Sequence, residues 1–111
     1  MSLRVVLSAR AKRELLAATQ WWADNRSLEQ AERWYAGFLK ALQGLRDTAA
    51  RHPLARESSR FSLELRQINY GVRRQPTHRA VYLVQESDVV VLAIRHLAQR
   101  DLTREEVTER G

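Results

Sequence analysis

Apolar residues recur along this chain in two rhythms, and the change of rhythm divides it. Between Ala9 and Asp24, residues Ala11, Leu15, Ala18 and Trp22 fall on one face of a helix, while Arg10, Lys12, Arg13, Glu14 and Gln20 take the wet side. Ser8 is placed to cap that helix by accepting a backbone N–H, and Leu3 to Leu7 ahead of it reads as a short strand. Ser27 and Gln30 form the pattern of a capping box. From there Ala31, Tyr35, Phe38, Leu42, Leu45 and Ala49 carry a second helical stripe, widened by Trp34, Leu39 and Ala41, until Pro53 stops it. So short a link between two amphipathic helices predicts an antiparallel hairpin.

Beyond a polar connector, Leu54 to Phe61, the period falls to two. Leu63 to Tyr70 reads as a strand with Arg66, Ile68 and Tyr70 on one face and Leu65, Gln67 and Asn69 on the other. Gly71 to Thr77 is a basic turn, followed by strands over His78 to Gln85 and Val89 to His96. Glu86, Ser87 and Asp88 lack the Gly of a tight turn, which predicts a connection of about three to five residues. Both faces of this hairpin are apolar: Ala80, Tyr82 and Val84 oppose Val81 and Leu83, and Val89, Val91 and Ala93 oppose Val90, Leu92 and Ile94. The helical hairpin covers one face. The other needs a cover from the same chain, a second copy or another protein. Thr103 and Glu106 form a further capping box, so a short helix precedes the end of the chain at Arg110 and Gly111.

The order β-α-α-β-β-β predicts an α+β, two-layer fold, a helical hairpin on a small, mainly antiparallel sheet. Residues 1–111 make a single domain, with a tail from about 102 onward. The absence of cysteine excludes disulfides and thiolate metal sites. No window approaches the roughly 20 apolar residues of a membrane span, and the N-terminus does not have the form of a signal peptide, so the expected location is cytoplasmic.

Charge sharpens the picture. The net charge is +6, and of 19 basic residues only Lys12 and Lys40 are lysine. Arg46, Arg51, Arg56, Arg60, Arg66, Arg73, Arg74 and Arg79 face only Asp47, Glu57 and Glu64 across the middle of the chain. Guanidinium groups suit phosphates and carboxylates, so an acidic partner is expected, either nucleic acid or an acidic protein segment.

Several pieces in order resemble the RelE/ParE toxin superfamily, above all its ParE-like, plasmid-stabilisation branch. They are the opening strand and the Ala11-x-x-x-Leu15 helix, Arg51-His52-Pro53, the pair Leu65-Arg66, His78-Arg79-x-x-Tyr82, the run from Val91 to His96, and Arg100-Asp101. The resemblance implies a small cytoplasmic toxin of a type II toxin-antitoxin module, wrapped and neutralised by a cognate antitoxin that would cover the second apolar face. A chain freed of that antitoxin is then expected to be poorly soluble. ParE-like members are associated with poisoning DNA gyrase, whereas RelE-type relatives cut mRNA on the ribosome. The residues expected to meet the target or the antitoxin are Arg66, Tyr70, Arg73, Arg74, Arg79, Val81, Leu83, Arg95, His96 and Arg100.

The alternative is a metal-independent endoribonuclease that acts on mRNA at the ribosome. It would need a proton-transfer group and cations on the phosphate, and Arg66, Arg79 and His96 are the candidates, with Glu64 a further partner for His96. Arg66 and Arg79 are expected near one another on neighbouring strands, whereas Arg95 and His96, adjacent on one strand, face opposite sides. Neither the lysine-rich site of RelE-type nucleases nor an aromatic residue after His96 is present. A non-enzymatic gyrase poison is therefore preferred, and a non-toxic nucleic-acid-binding relative is the third reading. His78 is expected near solvent. Trp21, Trp22, Trp34 and Tyr35 follow the helical stripes and are assigned to packing. No spacing suggests a metal site or a phosphate loop, so no cofactor is expected.

Overall fold

Both ends of the chain contribute to one sheet. In the computed structural model, which describes residues 3–71 and 75–108, strand β1 (Arg4–Leu7) runs parallel to β4 (Asp88–His96). Strands β3 (His78–Gln85) and β2 (Arg66–Tyr70) continue antiparallel, giving the order β1-β4-β3-β2. The helical hairpin is α1 (Ala9–Asn25) and α2 (Leu28–Gln43). The predicted α+β arrangement is the one observed.

Caps fix where the helices begin. Ser8 Oγ accepts from Ala11 N–H at 3.0 Å and donates to the Leu92 carbonyl at 3.0 Å, so one hydroxyl starts α1 and ties it to β4. Ser27 Oγ accepts from Gln30 N–H at 3.1 Å. The second helix ends sooner than its apolar stripe. At Gly44 the chain passes into a short α3 (Leu45–Thr48) and a 3-10 turn (Ala49–Arg51), as Thr48 Oγ1 and Asp47 N–H both donate to the Gly44 carbonyl. Leu45 and Ala49 stay buried, so the stripe reports packing even where the helix does not persist.

Under the hairpin, Leu15, Trp34, Phe38, Leu42 and Leu45 pack on Ala80, Tyr82, Val89, Val91 and Ile94. Phe38 and Tyr70 stack at 4.5 Å, and Tyr70 donates to the Trp34 carbonyl at 3.3 Å. Gly37 makes that approach possible, because a Cβ there would lie 2.1 Å from the Tyr70 hydroxyl. Tyr82 donates to the Ala49 carbonyl at 2.5 Å, and burial pushes its phenol up to about 12.

The opposite face is closed by the chain itself. The connector folds as Ala55, Glu57 and a short α4 (Ser58–Phe61), and the C-terminal segment brings Leu102 and, from α5 (Arg104–Thr108), Val107. With Leu65 they cover Val81, Leu83, Leu92 and Ala93. No antitoxin or second copy is needed to bury those four residues. Val81 and Leu83, expected to meet a partner, are internal because the polar connector 54–61 and the C-terminal segment fold over them. The connector's buried Glu57 is held by Arg79 Nη1 and Nη2 at 2.8 and 2.5 Å and by Leu102 N–H at 2.8 Å, which joins connector, sheet and tail. Burial raises the Glu57 carboxyl, but these donors outweigh it and hold the group below its ordinary range.

Three strand details depart from simple alternation. β2 begins at Arg66 rather than Leu63, because Leu65 N–H turns back to the Leu63 carbonyl and to Ser58 Oγ. The β3–β4 connection is only Glu86 and Ser87, with Gln85 paired to Asp88 and Glu86 in the left-handed region at φ 58°. Arg4 clamps this turn through both oxygens of Asp88, each at 3.1 Å. Finally, Tyr82 pairs with Val91 and Val81 with Ala93, so Leu92 is the extra residue of a bulge. After it the alternation inverts. Ala93 and Arg95 join the side of Val81 and Arg79, and Ile94 and His96 join the helical side.

Candidate functional site

The bulge decides which charged groups meet. Arg79 and Arg95 are register partners on the face away from the hairpin, and both are buried. Each has its own acid: Arg79 takes Glu57 with Gln67 at 3.2 Å, while Arg95 takes Glu14 at 3.2 Å, the Arg100 carbonyl at 3.1 Å and Glu106 at 3.9 Å. Arg100 is exposed and grips Glu106 at 2.7 and 3.1 Å, which holds the Glu106 carboxyl at about 2. Arg66 lies on the opposite face from Arg79 and donates to the His52 carbonyl at 2.6 Å. The two arginines expected side by side are therefore separated by the sheet, because Arg66 pairs with Tyr82 and Arg79 with Asn69. Glu64 lies 3.7 Å from Arg66 rather than beside His96.

Tyr70 belongs to the core rather than to a surface, with its phenol pushed up by burial. Arg73 and Arg74 lie outside the described residues. Of the predicted set within the described residues, His96 and Arg100 remain exposed, Arg66 is half-buried, and Arg79, Val81, Leu83 and Arg95 are internal.

His96 instead meets a group that the sequence did not pair with it. His78 and His96 are register partners whose rings lie 5.2 Å apart. His78 also meets Trp34 at 5.1 Å, and Trp34 continues to Trp22 at 6.3 Å and on to Trp21 at 5.5 Å. This aromatic strip borders a cleft of about 550 Å³ between α1 and the open ends of β3 and β4, lined among others by Trp21, Trp22, Arg26, Thr77, His78 and His96. Burial, with His96 adding to it, lowers His78 to about 4, so its imidazole is neutral at neutral pH. His78 Nδ1 is 2.8 Å from Thr77 Oγ1, and His96 Nδ1 accepts from Ala98 N–H at 3.0 Å, which leaves the His96 proton on Nε2. His78 is thus half-buried, not solvated, and Trp21 is a cleft wall, 51% exposed, rather than packing.

The N–H groups that β4 turns toward the cleft are taken. Beyond β1, the chain's own side chains bond its outer edge: Ser8 on the Leu92 carbonyl, Glu14 on Ile94 N–H at 2.9 Å, and Gln99 on His96 N–H at 2.6 Å. Among the described residues, no group of three or more His, Asp or Glu could hold a metal ion.

Two comparisons with known proteins bear on this architecture. The family model described as the ParE toxin of the type II toxin-antitoxin system parDE matches residues 5–101. A solved structure titled as the chromosomal ParDE TA system from P. aeruginosa is similar with a TM-score of 0.68, covering 86% of this chain and 96% of that one at 13% identity, a likeness of fold. No curated protein matches in sequence.

Proposed function

Given that the chain belongs to the ParE toxin family of type II toxin-antitoxin systems, we propose that it is a toxin acting in the cytoplasm by inhibiting DNA gyrase, neutralised by a cognate antitoxin. The family match carries the toxin reading. Gyrase is favoured over mRNA by what has become of the nuclease candidates: Arg79 is neutralised by Glu57 in the interior, Arg66 is across the sheet, and His96 is left without a clamp from either. Phosphate stabilisation during RNA cleavage requires cations placed where the charge develops. A protein that traps an enzyme on its DNA needs only complementary surface, which the net charge of +6 supports. Among the described residues no helix is long and apolar enough to cross a membrane.

The test is a gyrase supercoiling assay with chain released from its co-expressed antitoxin, alongside an Arg73→Ala, Arg74→Ala variant. Loss of supercoiling with accumulated cleaved DNA, relieved by added antitoxin and weakened in the variant, is the expected result. Unimpaired supercoiling at amounts that arrest growth, with translation-linked mRNA cleavage abolished by His96→Ala, would transfer the target to the ribosome.

A further inference from the structure

We propose that the cleft between α1 and the ends of β3 and β4 binds an unstacked nucleobase together with its phosphate. Three observations carry this. The walls are aromatic: Trp21 and Trp22 stand edge to face on one side, and the His78 and His96 rings stand on the other. Rings of this kind stack on any base, because every base presents a π face. The charge inside the cleft is one-sided. Its carboxylate, Glu14, is spent on Ile94 N–H and Arg95, whereas the guanidinium of Arg26 at the rim has no ion pair among the described residues. His96 and Gln99 line the cleft with their acceptors taken, Nδ1 by Ala98 N–H and the amide oxygen by His96 N–H, so what each has left to offer is a donor. A planar, acceptor-rich ring bearing an anion complements that set.

The occupied N–H groups of Ile94 and His96 on the strand edge decide against a peptide. An extended segment binds a cleft beside a sheet by adding hydrogen bonds to a free edge. Here Ser8, Glu14 and Gln99 already occupy that edge, so recognition rests on rings and side-chain donors. The neutral state of His78 suits this use, since a charged imidazole would hold water against the stacking surface. The site is independent of the gyrase reading, and a single-stranded segment of DNA or RNA or a free nucleotide could supply the base.

The experiment uses the full-length chain and a fluorescently labelled thymidine 12-mer, read by anisotropy at fixed salt. The control is the same backbone with abasic sites throughout. It keeps every phosphate, so it isolates the base from the strong general attraction of a basic chain for polyanions. The base-bearing strand is expected to bind about tenfold tighter than the abasic one, the scale of one stacked base. Trp21→Ala should erase that gap and leave abasic binding unchanged. Trp21 is half exposed, so the variant keeps the fold, which an unchanged unfolding midpoint would verify. Arg26→Ala should weaken both strands equally and reduce the salt dependence by about one phosphate contact. Saturable quenching of tryptophan fluorescence by thymidine monophosphate alone would identify the source as free nucleotide, and binding of the strand only would identify it as single-stranded nucleic acid. Equal affinity for the two strands, a gap that survives Trp21→Ala, or binding of an acidic, tryptophan-containing peptide in place of either nucleic acid would overturn the proposal. None of these outcomes depends on the supercoiling result.

Discussion

Against one face of the sheet lie α1 and α2, held by a continuous apolar and aromatic layer; against the other lie a connector and a short C-terminal segment, held around a buried ion pair. The first cover is broad, and any one side chain carries a small part of it. The second is thin, and Glu57 alone reaches Arg79 on β3 and Leu102 N–H on the tail. A small domain can thus close a two-sided sheet with little mass, provided that the buried charge is met by an opposite one.

The largest expected effect tests that dependence. Glu57→Ala leaves the Arg79 guanidinium buried without its acid and should cost about 3–5 kcal/mol in urea unfolding. The pair Glu57→Leu with Arg79→Met, which removes both charges together, should recover much of it. A cost under about 1 kcal/mol for Glu57→Ala would mean that water reaches the pair and that the two covers differ less than their geometry suggests. Next, Leu102→Ala should cost about 2 kcal/mol, the low end for a buried leucine, because a short segment detaches instead of preserving a cavity. Hydrogen exchange should quicken over 102–108 and stay unchanged in α1 and α2. Uniform acceleration would make the two covers a single cooperative unit.

A third effect separates the faces by pH. His78 ionises near 4 when folded and near 6.5 when unfolded, so the unfolded chain takes up the proton first as pH falls. Its contribution is whole above about 6.5 and is lost on the way down to 4, at up to about 1.4 kcal/mol per pH unit. Glu57, lowered from an ordinary value of 4.5, gives up its contribution only below that value. His78→Gln should therefore flatten the stability profile between pH 6.5 and 4 and leave the steeper acid limb in place. An identical slope in variant and parent would show that water reaches the imidazole.

Much of the helical face is legible in the sequence because a period of three and four is hard to produce otherwise. Ser8, Ser27, Leu15, Phe38 and Leu42 can all be placed from it, and the stripe locates Leu45 and Ala49 although the helix breaks at Gly44. The second face is harder. Glu57 lies in a polar-looking run, and nothing local distinguishes a carboxylate that will be buried against an arginine from one that will be solvated. The His78–His96 pair is hidden for a different reason. Strict alternation sends His96 to the side of Leu92, and only the extra residue of the bulge returns it to His78. Since β-branched residues fill that strand from Val89 to Val91, no composition signal marks where the register slips. Trp21 and Trp22 are visible as large side chains near a helical stripe, but which of them faces a cleft depends on where the sheet ends beneath them.

The placement of β1 has a consequence for assembly. Among the described residues this strand has a single neighbour, β4, and Arg4 meets Asp88 across a separation of 84 residues. Joining them requires closing nearly the whole chain into a loop before any contact repays the ordering, whereas the β3–β4 hairpin needs only two residues of turn. The hairpin therefore forms early and β1 arrives late. In the interval the outer edge of β4 stands open at Val89 and Val91, the positions β1 later takes, and a strand from another molecule with the same alternating pattern competes for it.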